Sequence, residues 1–147
     1  MRLAREADVP AMSRVLIASI THLCGADHGD APERIADWTM NKSPEGVARM
    51  LADPAHSMFV AEHDGVVAAV GLVAGSRIGL NYVDPDHRLA GISKALLAYM
   101  EQHMRVAGVG TATLESTETA LAFYQSAGWL LTGACGASGC RPMQKRL

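Results

Sequence analysis

Asp64-Gly65 separates two runs rich in Val and Ala, Ser57–His63 and Val66–Ala74. Asp-Gly suits a two-residue hairpin turn, because both central residues of the tightest such turn need positive φ. The middle of the chain therefore predicts an antiparallel hairpin. A different pattern follows. Ile78–Val83 reads as a third strand and is ended by Asp84-Pro85. A loop over 84–91 then feeds a helix over about 92–107, with Ile92, Leu96, Leu97 and Met100 on one face. Gly108–Gly110 stops that helix, and Thr111–Glu115 reads as a strand. Strand, helix and strand in that order make a crossover that joins parallel strands. A hairpin ahead of a crossover excludes the regular alternation of a doubly wound parallel sheet. It predicts an α/β (α+β) architecture with a mixed sheet and helices on both faces.

The flanks fill in the rest. Met1–Ala4 can be only a short first strand. Asp8 stands at an N-cap position ahead of Val9-Pro10, and Met12, Val15, Leu16, Ser19, Ile20 and Leu23 recur at helical spacing over 9–24. Cys24–Ala31 reads as a loop. Pro32 opens a helix to about Met40, with Ile35 and Trp38 on one face. Ser43-Pro44 starts a third helix that turns Val47, Met50 and Leu51 inward. After Thr111–Glu115, a short helix is expected over Glu118–Ser126. A closing hairpin follows, Trp129–Cys135 with Cys140–Arg146, around a turn at 136–139.

A chain of 147 residues is one domain, 1–147. Its 49% hydrophobic and 19% charged content supports a packed core and excludes a disordered or coiled-coil chain. A net charge of −2 with no basic block argues against a nucleic-acid partner. No apolar run approaches the roughly 18–20 residues that span a bilayer, so no membrane partner is expected. The first ten residues lack a signal-peptide pattern, and a cytoplasmic location is expected. Cys24, Cys135 and Cys140 show no CxxC spacing and read as reduced thiols. A cross-strand disulfide between Cys135 and Cys140 is the less favoured alternative.

Asn81–Leu97 (NYVDPDHRLAGISKALL) carries the most chemistry. A loop that runs straight into a helix leaves the first backbone N–H groups of that helix free at the positive end of its dipole, which suits an anion such as phosphate. Gly91 permits close approach, Ser93 is small, and Arg88 and Lys94 add positive charge. An ordinary strand–loop–helix with a surface arginine is the plainer alternative. The phosphate-binding pattern GxxxxGK[ST] is absent.

Arg88-Leu89-Ala90-Gly91-Ile92-Ser93 resembles the R/Q-x-x-G-x-G/A signature of the GNAT superfamily of N-acetyltransferases, after a strand ending V-x-P and before a helix containing Leu-Leu. Ser116–Trp129 (STETALAFYQSAGW) is similar to the family's later stretch through Thr117, Ala120, Phe123-Tyr124 and Gly128-Trp129. The hairpin with Ala61-Glu62 and Asp64-Gly65 also resembles the family, so the likeness covers essentially the whole chain. Three positions depart: Leu89 replaces the usual Gly, Ser93 the last small residue, and Thr117 a frequent Asn.

The resemblance implies a mostly antiparallel sheet that splays between Ile78–Val83 and Thr111–Glu115, and acetyl-CoA as cosubstrate. Backbone groups of Arg88, Leu89, Ala90, Gly91, Ile92, Ser93 and Lys94 would hold the pyrophosphate, and Thr117 would contribute to the same site. The Val83 N–H would face the thioester oxygen. Tyr124 would protonate the leaving thiolate. A protonated amine must lose a proton before attack, and Glu115, at a strand end beside the cleft, is the first candidate base; a solvated strand-end carboxylate is an equal reading. Asn81 and Tyr82 can orient substrate or water.

The implied activity is an acetyl-CoA-dependent N-acetyltransferase acting directly on a primary amine of a small molecule or peptide. A non-catalytic acyl-CoA-binding or regulatory module and an unrelated anion-binding α/β protein are the alternatives. A homodimer stays open. His22–Trp38 lies where the family places much of its acceptor site. Asp27, Asp30, Glu33 and Asp37 there outnumber Arg34, which favours a cationic amine, although a solvated surface is the more frequent meaning of such a cluster. His22, Cys24, Asp27 and His28 match no standard zinc spacing, and no metal is expected. Trp38 reads as a packing residue, and His56, His63, His87 and His103 as surface.

Overall fold

The computed structural model describes residues 1–136 and 139–147. Two-residue strand β1 (Arg2–Leu3) is followed by helices α1 (Val9–Leu23), α2 (Gly25–His28), α3 (Pro32–Thr39) and α4 (Pro44–Ala52). Strands β2 (His56–His63), β3 (Val66–Ala74) and β4 (Arg77–Val83) come next. Helix α5 (Ile92–Val106), strand β5 (Thr111–Ser116), helix α6 (Leu121–Ser126), and strands β6 (Leu130–Leu131) and β7 (Arg141–Arg146) complete the chain. The sheet order is β1-β2-β3-β4-β5-β7-β6, with β4 and β5 parallel and every other neighbouring pair antiparallel. The mixed sheet expected from the sequence is therefore the one observed.

Local chemistry accounts for most boundaries. Asp64 and Gly65 have φ of 51° and 79°, the pair of positive angles that closes the β2–β3 hairpin. Ser43 caps α4 by accepting from the Gly46 amide at 3.2 Å. Asp8 does not cap α1. Its carboxylate accepts from the Arg5 amide and from Arg2, each at 2.7 Å, closing a 3₁₀ turn at Glu6–Asp8 instead. Residues 25–28, expected as loop, form the single turn α2. Buried His28 pins that turn: Nε2 donates to the Ile20 carbonyl at 2.7 Å while Nδ1 accepts from the Asp30 amide at 3.0 Å. Helix α6 starts later than expected, because 117–120 is spent on a turn in which Thr117 Oγ1 accepts from the Ala120 amide at 3.2 Å. Strand β6 is shorter than the expected Trp129–Cys135. Pro142, opposite its end, has no N–H to donate, and only Leu130 and Leu131 pair with β7. Two residues of the expected turn, 137 and 138, lie outside the described residues.

The sheet separates two apolar cores. Met12, Val15 and Leu16 of α1 and Val47 of α4 pack on Met58, Val60, Val70, Leu72 and Leu80. On the other face, Leu96, Leu97, Met100 and Met104 of α5 pack on Phe59, Ala69, Val73, Ile78, Ala112 and Leu114, with Tyr124 and Trp129 closing the end. A buried polar cluster locks this second layer. Glu101 of α5, 4% exposed, accepts from Trp129 Nε1 at 3.0 Å and from Lys145 Nζ of β7 at 2.9 Å, and Lys145 also donates to the Ala127 carbonyl at 2.7 Å.

One irregularity decides where a ligand can enter. Val73 pairs with Ile78 and Leu72 with Leu80, so Gly79 is an extra residue, a β-bulge in β4. A Cβ at Gly79 would stand 2.8 Å from Leu72 Cδ2. Beyond the bulge β4 turns away from β5. Register pairs join the two strands only at Arg77↔Thr113 and Ile78↔Leu114, and the remainder of each strand diverges.

Truncating Lys145 leaves the buried Glu101 carboxylate with Trp129 Nε1 and with Arg105, 3.5 Å away, as its remaining partners. Lys145→Met is expected to lower unfolding stability by about 2 kcal/mol, the worth of a charged hydrogen bond, shifting the thermal midpoint down by roughly 4–8 °C. A melting curve within 2 °C or so of wild type would show that the Glu101 cluster does not hold the layer together.

Candidate active site

The gap between β4 and β5 opens into a cavity of about 370 Å³. Its walls are the diverging strands, the start of α5 and helix α6. Each wall is held by a different device.

The α5 wall starts at Asp84. Its amide donates to the Ala68 carbonyl at 2.8 Å, and its carboxylate, 4% exposed, accepts from the Asp86 amide at 3.0 Å. Arg14 of α1 pairs with the same carboxylate and donates to the Val67 carbonyl at 3.2 Å. Burial alone would raise the Asp84 carboxyl. The hydrogen bonds from Arg14 and the Asp86 amide outweigh it and hold the carboxyl below the usual range. That latch fixes a 3₁₀ turn at Pro85–His87, from which the chain runs through Leu89, φ 64°, and Gly91, φ 76°, into α5.

No side chain caps α5, and its own ladder begins with the Ala95 amide on the Gly91 carbonyl at 3.0 Å. The N–H groups of Ile92, Ser93 and Lys94 therefore point out of the helix at its positive end. Nothing lies within 4 Å of the Cβ position of Gly91. Arg88 and Lys94 line the same cavity. This donor set fits a pyrophosphate. Leu89 lines the cavity rim with its side chain 95% exposed, while Ala90 lies in the loop outside the lining.

The α6 wall carries Tyr124, 7% exposed, edge-on to Phe123 at 5.1 Å and to Trp129 at 6.1 Å between ring centres. Burial pushes its phenol up to about 12, against a smaller opposing effect of Asn81 beside it. On the strand side lie Val83, at the last β3–β4 register pair, and Asn81. Thr117 lines this cavity as well as a neighbouring one of about 660 Å³.

Glu115 also borders the first cavity. Along β5 the residues Ala112, Leu114 and Ser116 are buried and Thr113 and Glu115 exposed, so Glu115 projects from the sheet face opposite to Leu114 and Tyr124. Its carboxylate is 3.2 Å from Arg77 Nη2. The second cavity brings together Asp27, Arg34, Asp37, Trp38 and Glu118 from the stretch expected to receive an acceptor and from the approach to α6. Asp27 is not a spare charge there. It accepts from the Glu118 and Thr119 amides at 2.6 and 3.2 Å and from Thr119 Oγ1 at 2.5 Å, which ties α2 to the turn ahead of α6. Trp38 packs edge-on to His28 with ring centres 6.1 Å apart, and it lines this cavity as well.

Cys24 also lines the first cavity. Burial, and then Asp27, push its thiol up to about 12, so no thiolate is available there at neutral pH. No disulfide joins Cys135 and Cys140. Among the described residues no group of three or more His, Cys, Asp or Glu side chains converges in a metal-binding arrangement, and no helix is long and apolar enough to cross a membrane.

His87, read from the sequence as surface, lies in the cavity wall with Nδ1 buried, 3.9 Å from Asp84 and edge-on to His63 at 5.5 Å. The sequence reading also missed Gly79 and Arg14. A glycine inside the strand pattern IGLNYV is a recognised sign of a bulge. Arg14 has no such signal, because its partner lies 70 positions away.

The fold has many solved counterparts. A GCN5-related N-acetyltransferase from Rhodopseudomonas palustris is 19% identical with a TM-score of 0.87, covering 99% of this chain and 94% of that one. The PaiA N-acetyltransferase of Thermoplasma acidophilum, solved with coenzyme A, is 18% identical with a TM-score of 0.81, covering 99% and 97%. YncA of Salmonella typhimurium, a protein solved with acetyl-CoA, is 19% identical with a TM-score of 0.68, covering 99% and 91%. No curated protein sequence matches the chain. These likenesses show a fold shared by solved N-acetyltransferases. A sequence model of the acetyltransferase (GNAT) domain matches residues 26–145, and the chain belongs to that family.

Asp84 is held below its usual pKa, so its contribution to stability is present above the ordinary carboxylate range and is lost as pH falls through it. Arg14→Gln should therefore melt below wild type at pH 7. That gap should narrow as pH falls below about 4 and close only as pH passes through the depressed pKa of the wild-type Asp84 carboxyl. An equal gap at pH 3 and pH 7 would show that Arg14 acts through packing and not through the buried carboxylate.

Proposed function

We propose that this protein transfers an acetyl group from acetyl-CoA directly to a primary amine on a small molecule or peptide. The observation that carries the reading is one cavity in which free N–H groups of Ile92–Lys94 and the buried Tyr124 phenol stand on facing walls. Family membership and the coenzyme complexes of two structural relatives support it.

Bound there, acetyl-CoA supplies an activated acyl carbon and a sulfur leaving group. The backbone from Arg88 to Lys94 holds the pyrophosphate, with the Arg88 and Lys94 side chains adding charge. The divergent edge of β4 offers unpaired backbone groups to an extended arm, as a sheet edge does to an added strand. The Val83 N–H stabilises charge that develops on the carbonyl oxygen. Tyr124 remains neutral at physiological pH and gives its proton to the departing sulfur. Glu115, on the opposite face of the sheet, takes the proton that the amine loses, with Arg77 as its resting partner. The acceptor approaches through the second cavity, where Asp37 suits a cationic amine, Glu118 being held by Arg141 at 3.3 Å, and Trp38 offers an aromatic wall. A cytoplasmic setting and a metal-free reaction complete the proposal.

Coenzyme A at a hundredfold excess over its Kd should stabilise the protein by about 2.7 kcal/mol. Gly91→Val removes that stabilisation. The space around Gly91 is open, so the variant folds, with local strain from φ 76° and a side chain covering the anion site. Undiminished coenzyme binding by Gly91→Val would place the pyrophosphate elsewhere.

Tyr124→Phe keeps the ring and loses the donor. Its melting temperature and coenzyme affinity should match wild type while kcat falls at least tenfold, about 1.4 kcal/mol in barrier. Detection of released thiol across a panel of amines measures this. Normal turnover in Tyr124→Phe sinks the general-acid assignment.

A further inference from the structure

Asn81 is out of place by the ordinary rules of burial. Its Oδ1 and Nδ2 are both buried, and neither makes a well-formed hydrogen bond; the side-chain partner at hand is the Tyr124 hydroxyl. Buried amides are nearly always paired, because an unpaired one forfeits its hydration without return. The bulge explains how the amide came to lie there. In an unbroken strand Ile78, Leu80 and Tyr82 would share one face. Gly79 inserts an extra residue, so Leu80 joins the α1 layer while Ile78 and Val83 pack with the α5 layer. Asn81 alternates with Leu80 and therefore faces α5 and α6, on the stretch of β4 that β5 has left. It lines the cavity beside the Tyr124 hydroxyl. An aliphatic side chain of similar size would suit the surrounding Ile78, Val83 and Leu114 without any unpaired group. The amide is thus explained by the Tyr124 hydroxyl beside it and not by the packing of the surrounding side chains.

We propose that Asn81 is a positioning residue whose Nδ2–H donates to Tyr124 Oη, turning the phenol O–H toward the leaving sulfur. This rests on the general-acid reading of Tyr124. Donation in this direction is the productive one of the two available. If the phenol instead donated to Asn81 Oδ1, its proton would point away from the sulfur. As the C–N bond forms and the C–S bond breaks, the electron pair left on sulfur takes the Tyr124 proton. The Asn81 N–H then stabilises the phenolate, and the proton released by the amine nitrogen restores the phenol. An N–H donor to Oη favours the ionised phenol and eases its loss of a proton.

Asn81→Leu tests this, with Asn81→Ala as a second variant should Leu fail to fold. Expected are a tenfold or greater fall in kcat, an unchanged KM for acetyl-CoA, and a ligand-free melting temperature at or above wild type, since a poorly paired buried amide has been removed. In the Tyr124→Phe background the same substitution should change kcat less than twofold. Unchanged kcat in Asn81→Leu, or an equal loss in both backgrounds, overturns the proposal. Normal turnover in Tyr124→Phe alone overturns the reading beneath it, and slow Tyr124→Phe with normal Asn81→Leu overturns only the role of Asn81.

Discussion

Strands β4 and β5 share two register pairs and then part. A parallel pair that ends so early leaves backbone donors and acceptors on both strands without a ladder. The fold tolerates the gap because β4 is anchored from its other edge, where β3 pairs with it from Arg77 to Val83. The bulge at Gly79 supplies the turn in direction. The Asp84 latch then holds the far end of β4 against α1 and β3, and the Glu101 cluster holds β7 and the end of α6 against α5. Together the two clusters fix the two sides of the opening.

Elements with a strong local signal were legible in the sequence. The β2–β3 hairpin, the crossover through α5 and the cap of α4 all follow from residues that are neighbours in the chain, namely Asp64-Gly65, Gly91 with the apolar stripe of α5, and Ser43-Pro44. The anion site was legible for the same reason, since it is the local geometry of one loop entering one helix. What escaped depends on distant partners. Asp8 was free to cap α1 until Arg2 and the Arg5 amide claimed it. Asp27 counted as part of an acidic field until the amides of Glu118 and Thr119 took its carboxylate. The placement of Asn81 beside Tyr124 depends on the bulge two residues earlier, which moves the rest of β4 to the opposite alternation.

Tyr124 and Glu115, the two residues proposed to move protons, are positioned in different ways. Tyr124 is placed by a helix whose apolar neighbours Phe123 and Trp129 pin the ring, and its burial makes the phenol a neutral donor over the whole physiological range. Glu115 is placed by strand alternation, which puts it on the open face with an arginine at hand. One group is shielded and the other hydrated. That division suits a reaction in which one proton is delivered inside a cleft and another is handed to solvent.

The two edges of the sheet differ in what they offer to a second sheet. Strand β1 spans only Arg2–Leu3, and Arg2 is engaged by Asp8 and Glu62, so charge guards that margin. Strand β6 spans only Leu130–Leu131 and carries two exposed leucines, 67% and 41% accessible, with no charge between them. Long apolar margins invite edge-to-edge aggregation, and brevity is one of the defences against it. At the β6 margin colloidal stability rests on shortness alone. Any change that lengthened the pairing of β6 beyond Leu131 would extend a sticky template at the same time as it strengthened the sheet.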